Sequence, residues 1–286
     1  MEMFNEWLQE IQTVSSGDPG RALYNSTGTI CTILMYLAIL LYTWRQRLNP
    51  LKTIVIGYLV KMFLVYGQHL VTWYRRDFAW DNYFGTDNIG YAFILLPIFC
   101  WLCDKAFNLS DGTSGELAAI STLGWHFVGR SGCTFTGCCY GIDCSWGIYS
   151  HYAQGNTFPV CWLESLLSLG ILIFLVVRIL RRGYASEGKQ FRFRLLNWYY
   201  SKRRLPDDGR ALAYLLLFYG GGRVVTEFLR YHDSEYVLFG FLPSLSIVAL
   251  LMAAVGGLML YFITKKEKAA SAMAEAPLPE LKGQRH

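Results

Sequence analysis

Apolar runs separated by short polar or basic connections dominate the chain. They fall at residues 30–44, 53–66, 89–103, 117–128, 160–180, 211–229 and 238–263. A helix needs roughly 20 residues to cross about 30 Å of hydrocarbon, and with their flanks these runs approach that length. The pattern predicts an all-α polytopic membrane bundle of about seven transmembrane helices over residues 30–264. The second and fourth runs are the weakest. Lys61 interrupts one, and the other is short with Trp125 and His126 near its end, so spanning and re-entrant readings both stand for these two.

The flanks read differently. Within the N-terminal segment 1–29, Trp7, Leu8 and Ile11 recur at helical spacing, which predicts a short interfacial helix over residues 4–14. Glu2, Glu6, Glu10 and Asp18 replace the basic region and apolar core of a cleavable signal, so the first span is expected to serve as the insertion signal. Residues 181–210 form a basic loop holding Phe191, Phe193, Leu195, Leu196, Trp198 and Tyr199. Two readings are open for it, an amphipathic stretch on an anionic leaflet or a solvated loop that fixes topology. Residues 265–286, rich in Ala, Glu, Pro and Lys, read as a disordered tail. The sequence shows no internal repeat.

Composition agrees with a bilayer as the solvent. Of 286 residues, 53% are hydrophobic and only 16% charged, with a mean hydropathy of +0.26. The net charge of +5 would suggest nucleic acid only if the basic residues covered a soluble surface; here they gather beside apolar runs. Their bias orients the chain. With the N-terminus outside, Arg45, Arg47, Lys52, Lys105, the 181–210 loop and the tail all fall on the cytoplasmic side. Only Arg21, Arg75, Arg76, Arg130 and Arg230 fall outside. A multi-pass protein of the plasma membrane, with no nucleic-acid partner, is expected.

Charged residues inside spans are costly and therefore informative. In the sixth run Arg223 and Glu227 are four residues apart, on one helical face, after Gly220-Gly221-Gly222, and Arg230 follows. Two guanidiniums flanking one carboxylate suit a phosphate clamp, because a guanidinium binds phosphate bidentately and stays charged in apolar surroundings. A structural ion pair joining helices is the alternative. Gly129-Arg130-Ser131-Gly132-Cys133, continuing through Cys138, Cys139 and Gly141, reads as a tightly turning outer loop able to offer backbone N–H groups beside Arg130. Glu164 stands one turn into the fifth run, near the same surface.

These three places together resemble the prolipoprotein diacylglyceryl transferase family. Gly129, Arg130, Gly132 and Gly141 match its glycine-arginine signature, Pro159, Leu163 and Glu164 a second segment, and Gly220, Arg223, Glu227, Phe228 and Arg230 a third. The resemblance covers residues 117–263 and implies seven spans with the N-terminus outside. It also implies transfer of a diacylglyceryl group from phosphatidylglycerol to a prolipoprotein cysteine thiol, with no cofactor and no resident metal. Cys133 stands at the family's signature asparagine and Cys138 at an acidic position, and no histidine occurs near residues 88–90, where the family has one.

Within that reading Arg130 and Arg223 clamp the phosphate, Glu164 and Glu227 orient them, and His126 is the candidate base for the acceptor thiol. Gly129, Gly132, Cys133, Gly141, Gly220 and Arg230 are expected to line the lipid site. Cys133, Cys138, Cys139 and Cys144 fall in the outer loop and are candidates for two disulfides of undecided pairing. A zinc site lacks the paired spacing among these four, and a redox pair at Cys138 and Cys139 is a further option. Cys31, Cys100, Cys103 and Cys161 read as apolar filler. Loss of chemistry, leaving a lipid-binding or thiol-redox membrane protein, is the competing functional class.

Overall fold

The computed structural model describes residues 1–13, 19–75, 90–181, 184–186, 202–204, 208–232, 237–238 and 241–275. The basic loop expected at 181–210 and the tail beyond residue 275 lie mostly outside these residues. The helices are α1 (Glu2–Thr13), α2 (Pro19–Gln46), α3 (Pro50–Arg75), α4 (Gly90–Ala106), α5 (Thr113–Thr136), α6 (Val160–Arg181), α7 (Arg210–Phe228) and α8 (Ser244–Glu275). Four of them, α2, α3, α6 and α8, contain stretches long and apolar enough to cross a membrane, so the molecule is a mainly helical membrane protein.

The reason α5 falls short of that apolarity is its position. It packs against α2, α3, α4, α6 and α7 and is buried almost continuously from Thr113 to Leu123. A helix ringed by other helices needs small residues for close approach more than lipid-facing bulk, and Gly115, Ala118, Ala119, Ser121 and Thr122 supply them. Around it Ile39, Ile56, Phe93, Leu96, Leu175, Leu216 and Met252 form one apolar core. The outer helices turn their remaining bulk outward: Ile33, Ile98, Leu166, Val225 and Leu258 are all more than half exposed, which suits a hydrocarbon environment.

The helices differ from the sequence reading in extent. α2 begins at Pro19, well before residue 30, and α8 continues through Glu275, past the 264 boundary, because Lys, Glu and Ala there favour helix. Most consequential is α5. It continues past residue 128 to Thr136, where Gly137 at φ +66 ends it, so Gly129, Arg130, Gly132 and Cys133 occupy its last two turns and not a loop.

Beyond α5 the chain forms an antiparallel hairpin, β1 (Asp143–Ser150) and β2 (Gly155–Thr157), which the sequence reading left as loop. Short antiparallel pairs also join β3 (Tyr184–Ser186) to β4 (Lys202–Arg204) and β5 (Val237–Leu238) to β6 (Leu242–Pro243). Helix α1 docks on the β1–β2 hairpin, with buried Leu8 and Ile11 against Ile148. Gln12 clamps the joint: its Nε2 donates to the Thr134 carbonyl at 2.8 Å and its Oε1 accepts from the His151 N–H at 2.8 Å. Of the stripe read as interfacial, Leu8 and Ile11 face protein while Trp7 stays exposed, and α1 with the hairpin caps the end of the bundle that carries Arg130.

Candidate active site

Charged residues from three helices meet at that end. Glu164 enters from the first turn of α6 and is fully buried, as is Glu227 near the end of α7. Arg223 of α7 pairs with Glu164 Oε1 and, through its other terminal nitrogen, with Glu227 at 2.5 Å. Arg230, just past the end of α7, reaches the same Glu164 oxygen at 2.7 Å, and Thr226 donates to it at 3.2 Å. Arg130 of α5 places Nε 2.7 Å from the other oxygen, Oε2. His232 Nε2 lies 2.9 Å from the Glu227 carbonyl and 3.2 Å from its carboxylate.

Glu164 is therefore the common partner of three arginines. From the sequence, Arg223 and Arg230 would flank Glu227 on their own helix; instead Arg230 crosses to Glu164. Three guanidiniums face two carboxylates in this cage, an excess of positive charge. It sits at a mouth: the carboxylates are inaccessible while the Arg130 and Arg230 side chains keep 15% and 13% of their surface exposed. Buried Arg230 Nε has no hydrogen-bond partner among the described residues, a donor left without an acceptor.

The site's glycines serve packing. A Cβ on Gly220 would meet Ala253 N at 2.7 Å and Ala249 O at 2.8 Å, so this position is filled by α8 and not by lipid. Gly132 faces Thr27 and Gly129 faces Cys31, both on α2. Gly141 lets the loop after α5 pair with Arg230, where a Cβ would meet the Leu229 carbonyl at 2.7 Å; Ile142 N donates to that carbonyl at 3.0 Å. Gly129, Gly132 and Gly141, expected to offer backbone N–H groups beside Arg130, instead bring α2 and the loop close to α5, and Gly220 admits the backbone of α8.

His126 is also recast. It is buried, with Nδ1 3.0 Å from Ser168 Oγ and Nε2 2.8 Å from Tyr219 Oη. Ser168 gives its own hydrogen to the Glu164 carbonyl at 2.9 Å, so it accepts from Nδ1–H, and Nε2 accepts from Tyr219. Arg130 Nε approaches the same Nε2 at 3.3 Å. Both nitrogens of His126 are engaged inside the protein, where it supports Arg130.

All eight cysteines are free, so the two disulfides expected among Cys133, Cys138, Cys139 and Cys144 are absent. The reason is local: Cys133 is buried on α5, and Cys144 is carried away on β1. Cys161, read as filler, instead faces Cys133 and Cys139, and their three sulfur atoms lie within 4.8 Å of one another, the spacing at which thiols can share a metal ion. Arg130 Nη1 stands 3.5 Å from Cys139 Sγ, so one guanidinium touches both the carboxylate cage and the thiols. Hydrogen bonds from the Cys133, Cys138 and Cys161 thiols, then the Arg130 charge, hold the Cys139 thiol well below its ordinary range.

Sequence reasoning missed Cys161, Tyr219, Ser168, Thr226 and His232. Cys161 and Glu164 are three residues apart, a spacing that puts both on one face of α6 and was a usable signal. Tyr219, an aromatic in an apolar run, carried none.

The chain is a membrane protein, a helical bundle with a buried arginine–carboxylate cage at one end. The chain belongs to the prolipoprotein diacylglyceryl transferase family, whose model matches residues 85–262 and so takes in every member of the cage. Members of that family are transferases of lipoprotein biosynthesis. No curated protein matches the chain.

Proposed function

We propose that the protein transfers a diacylglyceryl group from phosphatidylglycerol to the cysteine thiol of a prolipoprotein at the outer face of the plasma membrane. The carrying observation is the surplus guanidinium of the cage, with Arg130 and Arg230 at the mouth and Arg230 Nε unpartnered. Helices α2 to α8 are the seven crossings, and the basic bias of the connections directs the cage outward. The lipid enters sideways between helices and sets its phosphodiester against Arg130 and Arg230, while Arg223 anchors both through Glu164. As the bond from glyceryl carbon to phosphate oxygen breaks, negative charge grows on the leaving phosphate, and fixed guanidiniums stabilise that charge without reorganising.

Rescue of cells depleted of their own diacylglyceryl transferase, scored by lipoprotein labelling with a fatty-acid probe, tests the reading. Labelling by the wild-type chain is expected. Its absence from a well-inserted wild-type chain contradicts the proposal.

A further inference from the structure

Among the described residues, the bases at the cage are engaged in holding it together: His232 turns Nε2 to the Glu227 carbonyl at 2.9 Å and to its carboxylate at 3.2 Å. Both nitrogens of His126 are taken, and Glu164 and Glu227 are held in ion pairs. The neighbouring thiols offer a different solution. Cys133, Cys139 and Cys161 come from the end of α5, the loop beyond it and the start of α6. With residues of the β1–β2 hairpin they line an open cavity of about 30 Å³, room enough for a water or an ion. Tetrahedral zinc with Zn–S near 2.3 Å sets its sulfurs roughly 3.8 Å apart. The trio, already within 4.8 Å, needs to contract by no more than about 1 Å, within reach of side-chain rotation. Three thiolates carry one charge more than Zn²⁺ neutralises, and Arg130 at 3.5 Å from Cys139 offsets it.

We propose that Cys133, Cys139 and Cys161 bind a zinc ion whose fourth position takes the acceptor cysteine, so that the metal generates the nucleophile beside the phosphate clamp. The acceptor role rests on the transferase reading above; the zinc site does not. Three protein ligands with one open position is the arrangement of catalytic zinc, and a thiol that coordinates zinc gives up its proton. In the step, the acceptor S–H proton passes to water and its sulfur attacks the glyceryl carbon. The C–S bond forms as the C–O bond to phosphate breaks, and the electron pair leaves on glycerol phosphate, which takes up a proton. Donor and acceptor chemistry then meet at Arg130, which contacts Glu164 on one side and Cys139 on the other.

The test uses the full-length protein purified without chelator. Elemental analysis is expected to find about one zinc per chain, falling to background in Cys161→Ser and unchanged in Cys144→Ser. Replacing zinc with Co²⁺ in the wild type is expected to give thiolate-to-metal charge-transfer absorption, a readout that no variant's folding can confound. Background zinc in the wild type after reconstitution, or a disulfide within the trio in place of metal, overturns the site. Labelling that survives stripping of bound zinc overturns the acceptor role. Zinc bound by a chain that labels no lipoprotein overturns the transferase reading and the acceptor role together, while the metal site stands.

Discussion

The two ends of the bundle bury charge in opposite ways. At the end away from the cage, Asp104 at the close of α4 accepts from the Gly112 and Ser114 N–H groups, both at 2.8 Å, and so caps the N-terminus of α5. Nearby, Tyr42 of α2 donates to fully buried Glu116 at 2.7 Å. Asp104 thus answers fixed backbone dipoles within the protein. At the cage end, three arginines answer two carboxylates. The first arrangement ties helices together; the second ties helices together and leaves one guanidinium in surplus over the carboxylates.

The largest expected effect comes from Glu164→Gln. Removing the shared carboxylate leaves Arg130 and Arg230 without an anionic partner in a buried setting while Arg223 keeps Glu227, a loss of about 3–5 kcal/mol, and the purified protein is expected to melt far earlier than wild type. A melting temperature equal to wild type would show that the cage is not the structural hub of its end. Next is Arg230→Gln, which keeps Glu164 paired with Arg130 and Arg223. Fold retention is expected with labelling down by about a hundredfold, the scale of losing one donor to a developing oxyanion. Labelling within a fewfold of wild type would assign Arg230 to structure alone.

At the opposite end the effects shrink and change in kind. Asp104→Ala is expected to cost about 1 kcal/mol of stability by uncapping α5, measured by thermal melt, with lipoprotein labelling unchanged. Tyr42→Phe, which removes one neutral donor from Glu116, is expected to cost about 1 kcal/mol or less, again with labelling intact. A strong loss of labelling from either would erase the distinction between the two ends.

Part of this contrast was legible in the sequence. Arg223 and Glu227 lie one turn apart on one helix, so their pairing follows from spacing, and Arg130, Glu164 and Arg230 stand out because charge in an apolar run is costly. That Glu164 and not Glu227 serves Arg230 was not legible, since α6 and α7 meet only through tertiary packing. The same limit hid the thiol trio: Cys133 and Cys139 are near in sequence, but Cys161 arrives from beyond the β1–β2 hairpin. Gly129 and Gly132 suggested a loop because glycine disfavours helix, yet α5 continues through them because α2 packs against the space they leave. The apolar core and the lipid-facing surfaces, by contrast, follow from hydrophobic pattern alone.

The central claim is that the surplus charge at the cage end holds a lipid phosphate. Native mass spectrometry of the protein in mixed micelles of phosphatidylglycerol and diacylglycerol measures this directly. The account predicts that wild type and Asp104→Ala retain phosphatidylglycerol in preference to diacylglycerol, and that Arg230→Gln loses that preference by roughly tenfold to a hundredfold. Equal retention of the two lipids by wild type, or a preference untouched in Arg230→Gln, would contradict it.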